Sequence, residues 1–209
     1  MDIGKAFSYV FEDERWISKV LIGGLILIVP ILNFAAFGYL VKIAQNVAQR
    51  NPRPLPEWSG QLGDHFMRGL NVFVIYLVYL LPVFILEGLF FCVTGGLASR
   101  VDAGSDASGA AFGLLGVCLF PLILLLALVL FVLIFAAIAR YAATNTLSEA
   151  FKFGEIIAGV RRNLSPWLML LLVYILAQFV GGLGIIACGI GVFFTAFYAQ
   201  CVLGHALGQ

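Results

Sequence analysis

Hydrophobic positions along this chain fall into four long runs, 17–47, 70–97, 110–139 and 167–207, separated by short polar stretches. About 20 apolar residues suffice to cross a hydrocarbon core roughly 30 Å thick, and every run meets that length. As one straight helix at about 1.5 Å per residue, the last run would be near 60 Å long, two membrane thicknesses. It therefore has to fold back, and the cluster Gly181, Gly182, Gly184 offers the turn. The first run, roughly 45 Å as one helix, is either a tilted crossing or a short hairpin broken at Pro30-Ile31-Leu32-Asn33. The pattern predicts an all-α integral membrane protein, a multi-pass helical bundle forming a single membrane domain over 1–209. It has six helices, or four crossings with two short re-entrant hairpins.

Charge placement chooses between the two forms of the first run. If the first and last runs are both hairpins, Lys5, Arg15, Lys19, Lys42, Arg50, Arg53, Arg68, Arg140, Lys152, Arg161 and Arg162 share one side. Only Arg100 lies opposite, an 11 to 1 split. A single crossing in the first run lowers the bias to 8 against 4. Because cytoplasmic loops carry the excess of Lys and Arg, the double-hairpin arrangement is favoured, with both termini cytoplasmic and the loop 98–109 outside.

Composition agrees. Hydrophobic residues make up 62% of the chain and charged residues 11%, with a mean hydropathy of +1.05, where soluble domains are about 25% charged. The net charge of +1 provides no field to gather nucleic acid; the expected partners are the lipid bilayer and other membrane proteins or a second copy. Lys19 precedes an apolar run, but the acidic residues Glu12, Asp13 and Glu14 come first and no small-residue cleavage site follows. The segment is therefore expected to be retained.

The polar stretches share a pattern: aliphatic, small, any, any, Phe. It occurs as Ile3-Gly4-Lys5-Ala6-Phe7, Leu62-Gly63-Asp64-His65-Phe66 and Leu147-Ser148-Glu149-Ala150-Phe151, each just before a hydrophobic run. In the third, Leu147, Phe151, Ile157, Val160 and Leu164 recur at helical spacing, and Thr146 with Glu149 fits a capping box. These segments read as cytoplasmic amphipathic helices, with Trp16, Trp58 and Trp167 as interface anchors at headgroup level; the alternative is helical linkers packed on the bundle. The proline-alternating stretch Asn51-Pro52-Arg53-Pro54-Leu55-Pro56 predicts an extended, stiff connector.

Chemistry-bearing residues are few. Glu87 is the one ionisable residue well inside a run. A carboxylate there is costly unless paired, protonated or facing water, which makes it the candidate intramembrane polar site. Counted from Leu70 it lies about 25 Å along its helix, near the outer headgroups. A proton or ion role and an interfacial or helix-pairing role both remain open. His65 and His205 map near the cytoplasmic interface as polar residues. Cys92, Cys118, Cys188 and Cys201 sit inside apolar runs as buried small hydrophobes, with a Cys92 to Cys118 bridge as the alternative. No nucleophile, metal-ligand or nucleotide motif is present in a suitable context, so no catalytic residue, metal or cofactor is expected. Small residues four apart, Gly88-Cys92-Gly96 and Ala196-Gln200-Gly204-Gly208, suit close helix packing within one chain or between copies.

Several stretches together resemble a family of uncharacterised prokaryotic membrane proteins, domain-of-unknown-function family 4013. They are 7–16 (FSYVFEDERW), Gly23-Gly24, Pro30, Gly38-Tyr39, Leu55-Pro56-Glu57-Trp58 and the ending Gly204-His205-Ala206-Leu207-Gly208-Gln209. The LPEW element after the Pro-rich connector is the most distinctive. The resemblance implies a multi-pass protein of the prokaryotic cell membrane and brings no activity, substrate or site residues. The expectation is a non-enzymatic accessory or scaffold component of a membrane complex. The alternative is a small transporter or channel, with Glu87 and the glycine-broken hairpins lining the path and Asn33, Thr94, Gln178, Thr195 and Gln200 as further polar groups.

Overall fold

The computed structural model describes residues 1–98, 106–186 and 189–209, and side chains outside 90–91, 93–98 and 106–120 of these. It is helical throughout, with no strand among the described residues. The helices are α1 (Ile3–Ser8), α2 (Trp16–Ile28), α3 (Asn33–Ala48), α4 (Leu62–Ala98), α5 (Asp106–Thr144), α6 (Phe153–Arg162), α7 (Ser165–Leu183) and α8 (Gly191–Gly208), with 3-10 turns at Tyr9–Glu12, Leu147–Phe151 and Gly184–Ile186. Among the described residues, four stretches are long and apolar enough to cross a membrane: Leu62–Leu89, Pro121–Thr144, Ser165–Ile186 and Gly191–Gly208.

The chain divides into two compact units, Met1–Ile75 with Phe135–Gln209, and Tyr76–Ile134. The second unit consists of the distal part of α4 and the proximal part of α5, with one proline in each, Pro82 and Pro121. Each proline lacks the N–H that would continue the helical ladder. The described side chains around Glu87, including Phe84, Ile85, Leu86 and Leu89, are exposed.

In the first unit α8 is central, packed by α2, α3 and α7. The first apolar run is broken as its proline predicts. Pro30 ends α2, the N–H of Asn33 donates to the Val29 carbonyl at 3.0 Å, and α3 starts there. The break in the last run begins at the third of its three predicted glycines. Gly181 and Gly182 stay helical in α7, the turn is carried by Gly184–Ile186 and by Gly189, whose φ is +76°, and Gly181 packs on Ala199 and Ala196 of α8. Small residues make these crossings tight. Side-chain atoms added at Gly204 and Gly208 would meet the carbonyls of Leu40 and Ala44, so the stripe along α8 packs on α3 within one chain. At Gly88 the space is open.

The threefold pattern has a physical basis. Its fourth position, Ala6, His65 and Ala150, is buried in every copy, at 0%, 1% and 0% exposure. The third copy departs from expectation. Thr146 forms no capping hydrogen bond and Glu149 turns to Arg140 and Lys152, so 147–162 is a 3-10 turn and then α6, not one helix. The buried face of α6 is Ile156 and Val160; Phe153, Ile157 and Leu164 are exposed.

Candidate functional site

The densest polar chemistry in the first unit surrounds the Pro-rich connector. Pro54 and Pro56 carry no N–H, so 54–57 cannot join a helix, and its carbonyls must find partners elsewhere. Four side chains supply them in register. Asn46 Nδ2 donates to the Pro54 carbonyl (2.9 Å), Lys19 Nζ to Leu55 (3.1 Å), the Tyr39 hydroxyl to Pro56 (2.8 Å), and His65 Nε2 to Glu57 (3.2 Å). The donors come from α2, α3 and α4, so the connector is a strap that ties three helices at once. A carbonyl only accepts, which assigns the His65 proton to Nε2. Nδ1 of His65 is buried without a partner among the described residues.

Charge closes the strap on its other side. Lys19 is only 4% exposed and bridges Asp13 at 2.7 Å and Glu57 at 2.9 Å, and Glu57 also takes Arg15 at 2.7 Å. Burial alone would push the Asp13 carboxyl up. The Lys19 ammonium and the backbone N–H of Arg15 outweigh it and hold that carboxyl below its ordinary value. Trp58 lies against Tyr39 and donates from its indole nitrogen to the Lys19 carbonyl at 3.0 Å.

A second polar knot joins α3, α4 and the end of α5. Arg68 donates to Gln45 at 2.6 Å, and Gln45 donates to the Ala142 carbonyl and to Asn145 at 2.9 and 2.7 Å. Asn145 adopts φ +55°, a left-handed conformation that Asn tolerates better than most residues. Beside it, Arg140 pairs with Glu149 and Glu155 at 2.8 and 2.6 Å.

Against this geometry the residues singled out from sequence fare differently. Trp58 is 7% exposed and belongs to the core, a departure from a headgroup anchor that follows from its stack on Tyr39 and its bond to α2. Trp16 is half-buried against Phe11, and Trp167 is half-buried at the start of α7. The histidines are buried within the helices: His65 lies beside the stacked Tyr39 and Trp58, and His205 stacks on Tyr9 at 4.3 Å. Glu87 is exposed on α4. Thr195 donates to the Gly181 carbonyl and Gln178 to the Tyr174 hydroxyl, while Oδ1 of Asn33 and Oε1 of Gln200 are buried without partners among the described residues. Cys92 is an exposed and Cys201 a buried free thiol; Thr94, Cys118, Cys188 and most of the loop 98–109 lie outside the described side chains. The strap's four donors were not legible as a group, because 19, 39, 46 and 65 share no motif.

The described His, Cys, Asp and Glu residues do not gather in threes as a metal site would require. A family model described as "Protein of unknown function (DUF4013)" matches residues 21–190. Neither a curated protein nor a solved structure matches the chain.

Proposed function

The chain belongs to the DUF4013 family of proteins of unknown function, and from that premise we propose a non-enzymatic accessory or scaffold component of a complex in the prokaryotic cell membrane. Both termini face the cytoplasm in this reading. The observation that carries it is the strap: Lys19, Tyr39, Asn46 and His65 are spent on fixing helices to one another through carbonyls 54–57. A rigid helical body with its polar groups so engaged suits a protein that holds others in place. The distal half of α4, exposed and apolar around Glu87, supplies the contact surface in this reading.

One observation favours transport. Three buried polar atoms, Asn33 Oδ1, His65 Nδ1 and Gln200 Oε1, have no partner among the described residues, and a solvated path would satisfy them.

The test is purification from native membranes in mild detergent, with quantitative mass spectrometry, beside flux measurements in proteoliposomes. A second membrane protein at fixed stoichiometry, with no flux, is the expected result. A proton-dependent flux abolished by Glu87→Gln would overturn the scaffold reading. For orientation, in a chain lacking native cysteines, an impermeant maleimide added to intact cells should label Ser105→Cys and not Gln61→Cys; the reverse pattern inverts the topology.

A further inference from the structure

We infer that the α2–α3 hairpin is re-entrant, ending inside the bilayer with its tip covered by acyl chains of the far leaflet, and that the α7–α8 tip ends beside it. The inference rests on the membrane reading above.

Length sets the depth that α2 can reach. The side chains of the Arg15–Glu57 ion pair are 68% and 43% exposed, which fixes that level in water or headgroups. From there α2 runs 13 residues to Ile28, about 20 Å, while the hydrocarbon core is roughly 30 Å thick. The helix therefore stops about 10 Å short of the far boundary, even before any tilt.

The two tips meet at one end of the first unit. Side-chain atoms added at Gly23 and Gly24 would strike the rings of Phe197 and Phe194, so the C-terminal half of α2 lies against the first turns of α8. The described residues at both turns expose apolar side chains: Ile31 is 68% and Ile186 84% exposed. Between Lys19 and Lys42, and again from Asn163 to the last residue, the sequence has no Asp, Glu, Lys or Arg. A turn emerging into water has no reason to avoid charge so completely.

Irregular backbone in hydrocarbon is costly where its polar groups are unpaired. These turns limit that cost. Pro30 has no N–H, Val29 and Asn33 donate to the carbonyls of Ile26 and Val29, and in the second turn Gly189 donates to Ile185 and Val192 to Gly189. A consequence is that water does not enter the first unit from this end.

The experiment uses the full chain, with Cys92, Cys118, Cys188 and Cys201 replaced by Ala, in vesicles of phosphatidylethanolamine and phosphatidylglycerol. An environment-sensitive fluorophore is attached at Ile31→Cys, Ile186→Cys or, on the exposed face of α7, Phe179→Cys. We expect a nitroxide at mid-chain of the lipid to quench the two tip labels at least about twofold more than a headgroup nitroxide, with no effect of aqueous iodide. Iodide quenching at the tips, with lipid quenching retained at Phe179→Cys, would overturn the re-entrant hairpins and leave the membrane reading standing. Quenching of the tips by neither lipid nor iodide would also overturn the inference, since protein would then cover them. Loss of lipid quenching at all three positions would sink the membrane reading itself. If a labelled variant fails to insert, a carbene precursor on the acyl chain, applied to the unmodified chain, decides the same question: adducts at 28–32 support the inference and their absence overturns it.

Discussion

The indole of Trp58 lies flat on the ring of Tyr39, centroids 4.4 Å apart and planes 16° from parallel, while its nitrogen donates to the Lys19 carbonyl. One side chain thus joins the strap to α3 by stacking and to α2 by a hydrogen bond. Trp58→Ala should cost about 3–5 kcal/mol, as for other large core truncations. Trp58→Phe keeps a ring on Tyr39 but loses the donor and part of the indole's volume, for about 1–3 kcal/mol. Thermal unfolding in detergent should rank wild type, Phe and Ala in that order. Equal losses for the two variants would show that the stack contributes nothing.

The α3–α4 crossing tests close approach. A side-chain atom at Gly38 would collide with the His65 carbonyl, and one at Gly69 with the Phe34 carbonyl; both obstacles are backbone and cannot step aside. Gly38→Ala and Gly69→Ala should each cost about 3 kcal/mol or more, beyond ordinary overpacking. At Gly63, in the first turn of α4, nothing lies within 4 Å, and Gly63→Ala should instead gain up to about 1 kcal/mol of helix propensity. Chemical denaturation of the three variants side by side checks the contrast.

Acid should loosen the strap through Asp13. Its carboxyl titrates below the ordinary value in the folded protein, so the stabilisation is fully present above the unfolded value, near pH 4, and is lost as pH falls through the folded value. The melting temperature should decline below about pH 4. Asp13→Asn should start lower at neutral pH, because Lys19 loses a buried partner, and should show a shallower decline. An unchanged acid slope in the variant would show that some other group sets the decline.

The two apolar faces of α6 test the proposal that this helix lies on the membrane surface. Ile156 and Val160 are buried in the protein, whereas Phe153 and Ile157 are exposed. Replacing the first pair by Ser should remove about 1.5–3 kcal/mol of burial per residue and speed hydrogen exchange over 153–162 in detergent and in nanodiscs alike. Replacing the second pair should speed it less in detergent than in nanodiscs, where on the proposed reading an ordered bilayer surface covers that face. Equal effects of both pairs in detergent would contradict the assignment of the inward face.

The class of protein and the punctuation of its helices are legible in the chain alone. Apolar runs and scarce charge dictate membrane helices, because only helices or closed barrels satisfy their backbone in hydrocarbon. Pro30 marks the first break, because its ring and missing N–H disfavour continuing α2 past Ile28. Those are local effects with local signals. The roles of Trp58, His65 and Lys19 depend instead on tertiary packing, for a strap carbonyl is satisfied by whichever donor the fold delivers, and the donors at 19, 39, 46 and 65 are adjacent only after α2, α3 and α4 have packed. The same holds for Glu149. Its spacing from Thr146 fits a cap, but two cations, Arg140 and Lys152, stand within 2.8 Å of its carboxylate in the fold, and charge-assisted bonds are roughly twice as strong as neutral ones. The last turn begins only at Gly184, the third glycine of the expected cluster, for a related reason. Gly181 looks like a breaker in sequence, yet against Ala199 of α8 its missing side chain serves close packing, and a glycine's role depends on what approaches it.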